Sequence, residues 1–388
     1  MIGTVFKHLL GFLVVVLAVF IGWCNLDPKL PWEARLFVCI YPIVKGHLPP
    51  AMFGHGTLPT NKATPPLPVD MVAQPRPQHE LFATLLGSGD KMPLQGLGMC
   101  CRPTAYDHLS VERSVEWYIL LGGRHIDGAH LYLNHEAIGR GIRNAMNRTN
   151  IPREELFITT KVYPTSFGYE STQEAVDLML RELGLDYVDM VLMHAPKRFI
   201  PGSSSPRGCQ NLSEKECRQE TWKALSRLRQ EHKIRNAGVS NFGIHHLKDI
   251  LELYDDPSDD DIAPVTNNQI QWNPWVNKDW VETLEFCQNH EIQITGWNSL
   301  GGVFEGSKAA ELEVIQKLAQ KHHRSVQSIL LRWALQSGVA VIPGTGNPEY
   351  MKENLAVYEF ELSEFEMTVI DGLREEIGDQ FMDMPMQD

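Results

Sequence analysis

From Lys91 onward, short apolar runs alternate with longer amphipathic stretches, the pattern of a chain that builds a parallel sheet from βα units. The runs that predict strands are LQGLGM (ending at Met99), RHID (Asp127), LFITTKV (Val162), YVDMVLMH (His194), IRNAGVS (Ser240), PVTNNQIQ (Gln271), IQITGW (Trp297) and VAVIP (Pro343). Between them VERSVEWYILLGG, NHEAIGRGIRNAM, TQEAVDLMLRELG, TWKALSRLRQEH and VQSILLRWALQSG repeat apolar residues at helical spacing. Eight such units in about 290 residues predict an α/β fold closed into a (β/α)8 TIM barrel, spanning residues 79–388. The fragment GLGMCC lacks the third glycine of a dinucleotide-binding turn, so the pattern does not support a Rossmann domain.

The first 78 residues read differently. Leu9 to Trp23 is uncharged and apolar and follows Lys7. Its length is at the short limit of the about 17–25 residues that span a bilayer. Residues 1–24 are therefore expected to form a single-pass membrane anchor, in an endomembrane, with a cleaved signal peptide as the alternative. The balance of Lys and Arg across the run does not fix its orientation. Residues 25–78 hold a second apolar run, LFVCIYPIV, broken by Pro42, and then a segment rich in proline and glycine that predicts a semi-extended spacer.

The net charge of −13 excludes a basic nucleic-acid-binding face. Seven cysteines do not make a disulfide scaffold in 388 residues. Cys209 and Cys217 alone are placed to close a short loop, and an oxidising compartment would be needed for that. Cys287 reads as a small buried hydrophobe. Asn147-Arg148-Thr149 and Asn211-Leu212-Ser213 fit the glycosylation pattern, which is common by chance. The pairs His245–His246 and His322–His323 read as solvated helix faces, since adjacent helical residues do not point at one ion. No metal site is expected.

Barrel active sites form where strands end and loops begin. Asp127 ends RHID, Tyr132 follows it in the loop, Lys161 lies near the end of LFITTKV and His194 ends YVDMVLMH. Burying these polar groups is costly unless they pair with one another. The simplest arrangement sets Asp127 against Lys161, with the ammonium reaching Tyr132. A nearby ammonium lowers a phenol's pKa from its usual value of about 10. Tyr132 would then be a proton donor aimed at a developing alkoxide, with His194 placing the substrate oxygen.

The fragments GGRHIDGAHLYLNHEAIG, ITTKVYP, LMHAP and GVSNF, in this order and spacing, resemble the successive signatures of the aldo-keto reductase superfamily. The resemblance covers roughly Lys91 to Asp371 and implies the same barrel fold and a catalytic tetrad of Asp127, Tyr132, Lys161 and His194. It also implies an extended nicotinamide dinucleotide in the barrel mouth. Ser240, Asn241 and Gln269 would bind the carboxamide, and Trp297 would stack on the nicotinamide in place of the usual Tyr. Hydride would pass to the carbonyl carbon of a small-molecule substrate while Tyr132 protonates the oxygen.

The sequence also departs from that family. Its VIPKS segment, followed by an arginine, grips the 2′-phosphate of NADPH, whereas this chain reads VIPGTGNPEYMKEN. Gly344 stands for the lysine and Tyr350 for the arginine, which weakens the charge-assisted grip on phosphate. Thr345 and Asn347 remain as donors, Lys352 lies one turn further, and Glu353 and Asn354 match the adenine end. NADPH is the expected cofactor, with NADH as the alternative. Around the substrate, Cys100 and Ala195 replace two positions often filled by tryptophan, and Tyr163 keeps an aromatic wall, so a wider pocket is expected. The short loop GGVFEGSK predicts that a long lid over the cofactor is absent, and the insertion after His194 belongs to a loop over the mouth. The expected state is a monomer, with a homodimer left open. The alternative function is a membrane-associated, cofactor-binding subunit that senses redox state with slow turnover.

Overall fold

The computed structural model describes residues 63–197, 207–255, 261–301 and 312–377. The apolar run Leu9–Trp23, the segment LFVCIYPIV, residues 199–206 of the insertion after His194 and residues 302–308 of the loop GGVFEGSK lie outside the described residues. Among the described residues no helix is long and apolar enough to cross a membrane.

Eight strands form one parallel sheet: β1 Leu97–Gly98, β2 His125–Asp127, β3 Phe157–Val162, β4 Val188–Met193, β5 Ile234–Ser240, β6 Val265–Gln271, β7 Gln293–Trp297 and β8 Val339–Val341. They pair strictly in chain order. The sheet closes on itself just before β1. Gln95 bridges Val341 in parallel register, the Val341 N–H donates to Leu94 O at 2.7 Å, and the Gly96 N–H donates to Val341 O at 2.8 Å. The result is a (β/α)8 barrel.

Strands buried on both faces are usually apolar, yet β6 (VTNNQIQ) is completely buried and mostly polar. The amide nitrogens of Asn267, Asn268 and Gln269 bond to neighbouring elements. Asn267 donates to Thr295 Oγ1 at 2.8 Å, Asn268 to Phe242 O at 2.9 Å and Gln269 to Asp127 Oδ2 at 2.7 Å. The helices follow ordinary capping rules. α1 (His108–Leu120) starts at Asp107, and α4 (Glu214–Gln230) starts at a Ser213/Glu216 capping box. A short antiparallel hairpin, Phe82–Thr84 with Lys91–Pro93, lies at the N-terminal ends of the strands. There Pro93 O meets His125 Nδ1 at 3.0 Å, and Ser88 donates to Asn236 Oδ1 at 2.6 Å.

The last part of the proline-rich segment lies along α1. The Thr64 N–H donates to Ser110 Oγ at 3.1 Å, Trp117 Nε1 donates to Pro65 O at 3.0 Å, and the Gln74 N–H donates to Leu120 O at 2.7 Å. Gly122, at φ 102°, leaves no room for a Cβ, which would sit 2.2 Å from Pro75 O. The segment bonds to α1 in both directions: its Thr64 and Gln74 N–H groups donate to the helix, and its Pro65 carbonyl accepts from it.

Two readings of helix surfaces are corrected. His246 is 2% exposed, not solvated, because its Nδ1 accepts the Gly243 N–H at the start of α5 (Ile244–Leu251). Burial, with the neighbouring His245 and Arg218 acting in the same direction, holds its pKa down to about 3, so it is neutral. His322 is likewise bonded, to Glu366 at 2.9 Å, while His323 is exposed. The N-cap of α5 is Gly243, so Ser240 and Asn241 are free of that duty.

Candidate active site

The strands deliver Asp127, Lys161 and His194 to one end of the barrel. Asp127 is the last residue of β2, Lys161 is the penultimate residue of β3, and His194 follows β4. Tyr132 comes from the short 3-10 turn His130–Tyr132 after β2. Lys161 Nζ is 2.5 Å from Asp127 Oδ1, 2.9 Å from Gly128 O and 3.5 Å from the Tyr132 hydroxyl. It also lies over the Tyr132 ring, 5.2 Å from the centroid. The Tyr132 and His194 rings meet edge to face at 5.6 Å, and Tyr163 meets His194 from another side at 6.2 Å. The structure thus brings the four residues into one contiguous cluster.

Lys161 is fully buried but not orphaned. Burial alone would lower its pKa, yet the Asp127 carboxylate and Tyr132 outweigh it and hold the ammonium above its usual value. Tyr132 goes in the opposite direction to the sequence-based expectation. Burial is the largest influence and raises the phenol above its usual value, with Lys161 only opposing it. A phenol cut off from water loses more in ionising than a single ammonium at 3.5 Å returns. His194 is neutral, its pKa held well below the usual value by burial and then by Lys161. Its Nδ1 is buried without a hydrogen-bond partner.

Ser240, Asn241, Gln269 and Trp297 form a linked rim at the ends of β5, β6 and β7. Gln269 Nε2 donates to the second carboxylate oxygen of Asp127 at 2.7 Å, so both Asp127 oxygens are engaged. Ser240 Oγ donates to Gln269 O at 3.0 Å, and Asn241 Nδ2 donates to His194 O at 3.0 Å. Trp297 Nε1 donates to Asn241 Oδ1 at 2.9 Å, fixing the half-buried indole by its edge.

Beyond β8, Thr345 Oγ1 accepts the Asn347 N–H, and Asn347 Oδ1 accepts the Glu349 N–H at the start of α9 (Pro348–Leu355). Glu353 accepts a hydrogen bond from Ser328 at 3.3 Å, and Asn354 is buried. Lys352 is exposed and paired with Glu349 at 2.7 Å. The half-buried cation beside Gly344 is instead Arg102, from the loop after β1: its Nη1 lies 3.3 Å from where a Cβ on Gly344 would stand. Arg102 was not singled out from sequence, because the first and last strands meet only on closure.

Cys100, Ala195 and Tyr163 are the residues expected to line the pocket. Ala195 is 0% exposed and so adds no accessible surface. Cys100 is half-buried and disulfide-bonded to Cys101, which adopts φ 65°, so its sulfur is not a free thiol. Cys209 and Cys217 are also joined. Cys287 is free and buried, with its thiol pushed up to about 12 by burial. Among the described residues no group of His, Cys, Asp or Glu could hold a metal ion.

The model of the Aldo/keto reductase family matches residues 98–375. The chain belongs to that family. A 9,11-endoperoxide prostaglandin H2 reductase of Trypanosoma cruzi is 36% identical over 74% of this chain and 89% of its own length. A glyoxal reductase of Bacillus subtilis is 35% identical, covering 75% of this chain and 92% of its own length. Among solved structures, an aldo-keto reductase of Bombyx mori in complex with NADP superposes with a TM-score of 0.64 at 28% identity, over 76% of this chain and 92% of that one. As a member of the aldo/keto reductase family, the chain is an oxidoreductase.

Proposed function

We propose that this protein reduces an aldehyde or ketone to an alcohol with hydride from a nicotinamide cofactor, NADPH in the first place, and that Tyr132 is the proton donor. The observation that carries the reading is the continuous contact from Asp127 through Lys161 to Tyr132, with a neutral His194 beside the phenol. The reduced nicotinamide supplies hydride to the carbonyl carbon when it is bound. Ser240, Asn241 and Gln269 would hold its carboxamide, Trp297 would stack on its ring, and Thr345, Asn347, Glu353 and Asn354 would hold the adenosine end. The residues fit such a group. The orphaned His194 Nδ1 is a buried polar atom that a polar ligand would satisfy, and the half-buried Arg102 guanidinium, held only by neutral acceptors, suits an anionic one.

His194, neutral and fixed by the Tyr132 and Tyr163 ring edges, would donate to the carbonyl oxygen and set its position. Tyr132 would transfer its hydroxyl proton to that oxygen as negative charge grows on it. The tyrosinate left behind would be stabilised by Lys161 at 3.5 Å, and Asp127 would keep Lys161 charged and in place. Proton recovery from water would restore the phenol.

Support from relatives is consistent with carbonyl substrates, as the glyoxal reductase name indicates for that protein. The deciding experiment mixes purified protein with NADPH or NADH and a panel of aldehydes, dicarbonyls and ketones, and follows nicotinamide absorbance. Turnover should appear with NADPH, and Tyr132→Phe should lower kcat by about 10²–10⁴-fold. A Tyr132→Phe variant with full activity would overturn the assignment of the donor. Failure of the wild type to bind either cofactor would overturn the whole reading.

A further inference from the structure

Arg102 is a half-buried guanidinium that faces no carboxylate among the described residues. Nη1 donates to Gly98 O at 2.6 Å, Nε donates to Thr104 Oγ1 at 3.1 Å, and Nη2 has only Met99 Sδ at 3.9 Å. Neutral acceptors hold the group in position but do not balance its charge, and a desolvated unpaired cation is costly. Burial accordingly pulls its pKa down to about 10, with no carboxylate pulling the other way, and it is still charged at neutral pH. A group of opposite charge would balance it.

The position of Arg102 indicates which anion. It sits at the closure seam, where the Gly98 N–H donates to Pro343 O at 3.4 Å and the segment after β8 runs alongside. A side chain at 344 and the guanidinium of Arg102 compete for one volume: a Cβ there would also stand 3.0 Å from Gly98 O. Thr104 Oγ1 is equally close, 3.3 Å, to where a Cβ on Gly346 would be. The two glycines therefore let the loop of Arg102 and Thr104 approach the segment that also carries Thr345 and Asn347. A planar guanidinium is suited to a phosphate, which it can bind by two parallel bonds.

We propose that Arg102 is the cation that holds a phosphate group of the dinucleotide, supplying from the first βα loop the charge that Gly344 lacks. This rests on the cofactor reading given above. It assigns a specificity role to a loop residue rather than to the segment after the last strand.

The test is direct titration of the full chain with NADPH and with NADH by calorimetry, for wild type, Arg102→Met and Arg102→Lys, with circular dichroism and thermal melting as the check on folding. Arg102→Met should weaken NADPH by roughly tenfold or more, and Arg102→Lys should recover part of that, since a lysine restores the charge without the fork. A loss confined to NADPH places the 2′-phosphate on Arg102; an equal loss for NADH places the pyrophosphate there. A folded Arg102→Met that binds both cofactors like wild type overturns the proposal while leaving the carbonyl reductase reading intact. So does a variant that changes only KM for an acidic carbonyl substrate. If wild type binds neither dinucleotide, both readings fall together.

Discussion

Trp297 donates its indole N–H to Asn241 Oδ1 at 2.9 Å, joining the end of β7 to the end of β5. The Asn241 amide nitrogen meanwhile donates to His194 O and to Ser240 Oγ. One carboxamide therefore ties the aromatic ring to the backbone of the neutral histidine. A tyrosine at 297 would carry its polar group at the far end of a smaller ring and would not reproduce this edge contact. The edge contact fixes the orientation of the indole ring.

Trp297→Phe should therefore keep an apolar face but release Asn241. A single neutral hydrogen bond contributes about 0.5–1.5 kcal/mol, so cofactor affinity should fall about two- to tenfold while the melting temperature hardly moves. Calorimetric titration measures this without relying on tryptophan fluorescence. An unchanged affinity would mean that the indole edge has no part in ordering the site.

The raised pKa of Tyr132 has a consequence for pH dependence. The phenol must be protonated to act as the acid in reduction, and a raised pKa keeps it protonated through neutral pH and beyond its usual value of 10.0. The rate of reduction should be flat through neutral pH and fall only in strong alkali. The reverse oxidation needs the phenolate and should rise with pH over the same range. Lys161→Met removes the cation that opposes burial, so the phenol pKa should rise further and oxidation at a fixed alkaline pH should be lost more severely than reduction. Rate profiles in both directions for the two proteins check this, and equal losses in both directions would contradict it.

How much of this was legible in the sequence depends on where each contact's partners lie. Asp127, Lys161 and His194 end consecutive strands, so the alternation of the chain already places them on one rim, and the Asp–Lys pairing follows from the cost of burying either alone. The sign of the Tyr132 shift was not legible. It is set by how completely the pocket excludes water, a property of packing that no spacing encodes. Arg102 was missed for a topological reason: its relation to Gly344 spans the barrel's closure, between the first and last strands. His246 was misjudged because it stands beside a second histidine and close to Lys248, whereas its ring is used to cap its own helix. The disulfide between Cys100 and Cys101 removes the free thiol that a small side chain at 100 suggests.

The bond between Cys209 and Cys217 sets up a stability prediction that separates it from the pair at the mouth. Both residues are buried, 2% and 5% exposed, and between them lie the Asn211 turn and the Ser213 cap of α4. The sequence separation is 8, so the loop closed in the unfolded chain is short, and the stabilisation should be about 2–3 kcal/mol. Cys209→Ser/Cys217→Ser should lower stability by that amount, measured by denaturant unfolding. A reducing agent should destabilise wild type by a similar amount and leave the double variant almost unaffected, because adjacent cysteines such as Cys100 and Cys101 close no loop of consequence. If reduction destabilises the double variant as much as wild type, the stabilising bond lies elsewhere and Cys209–Cys217 contributes little.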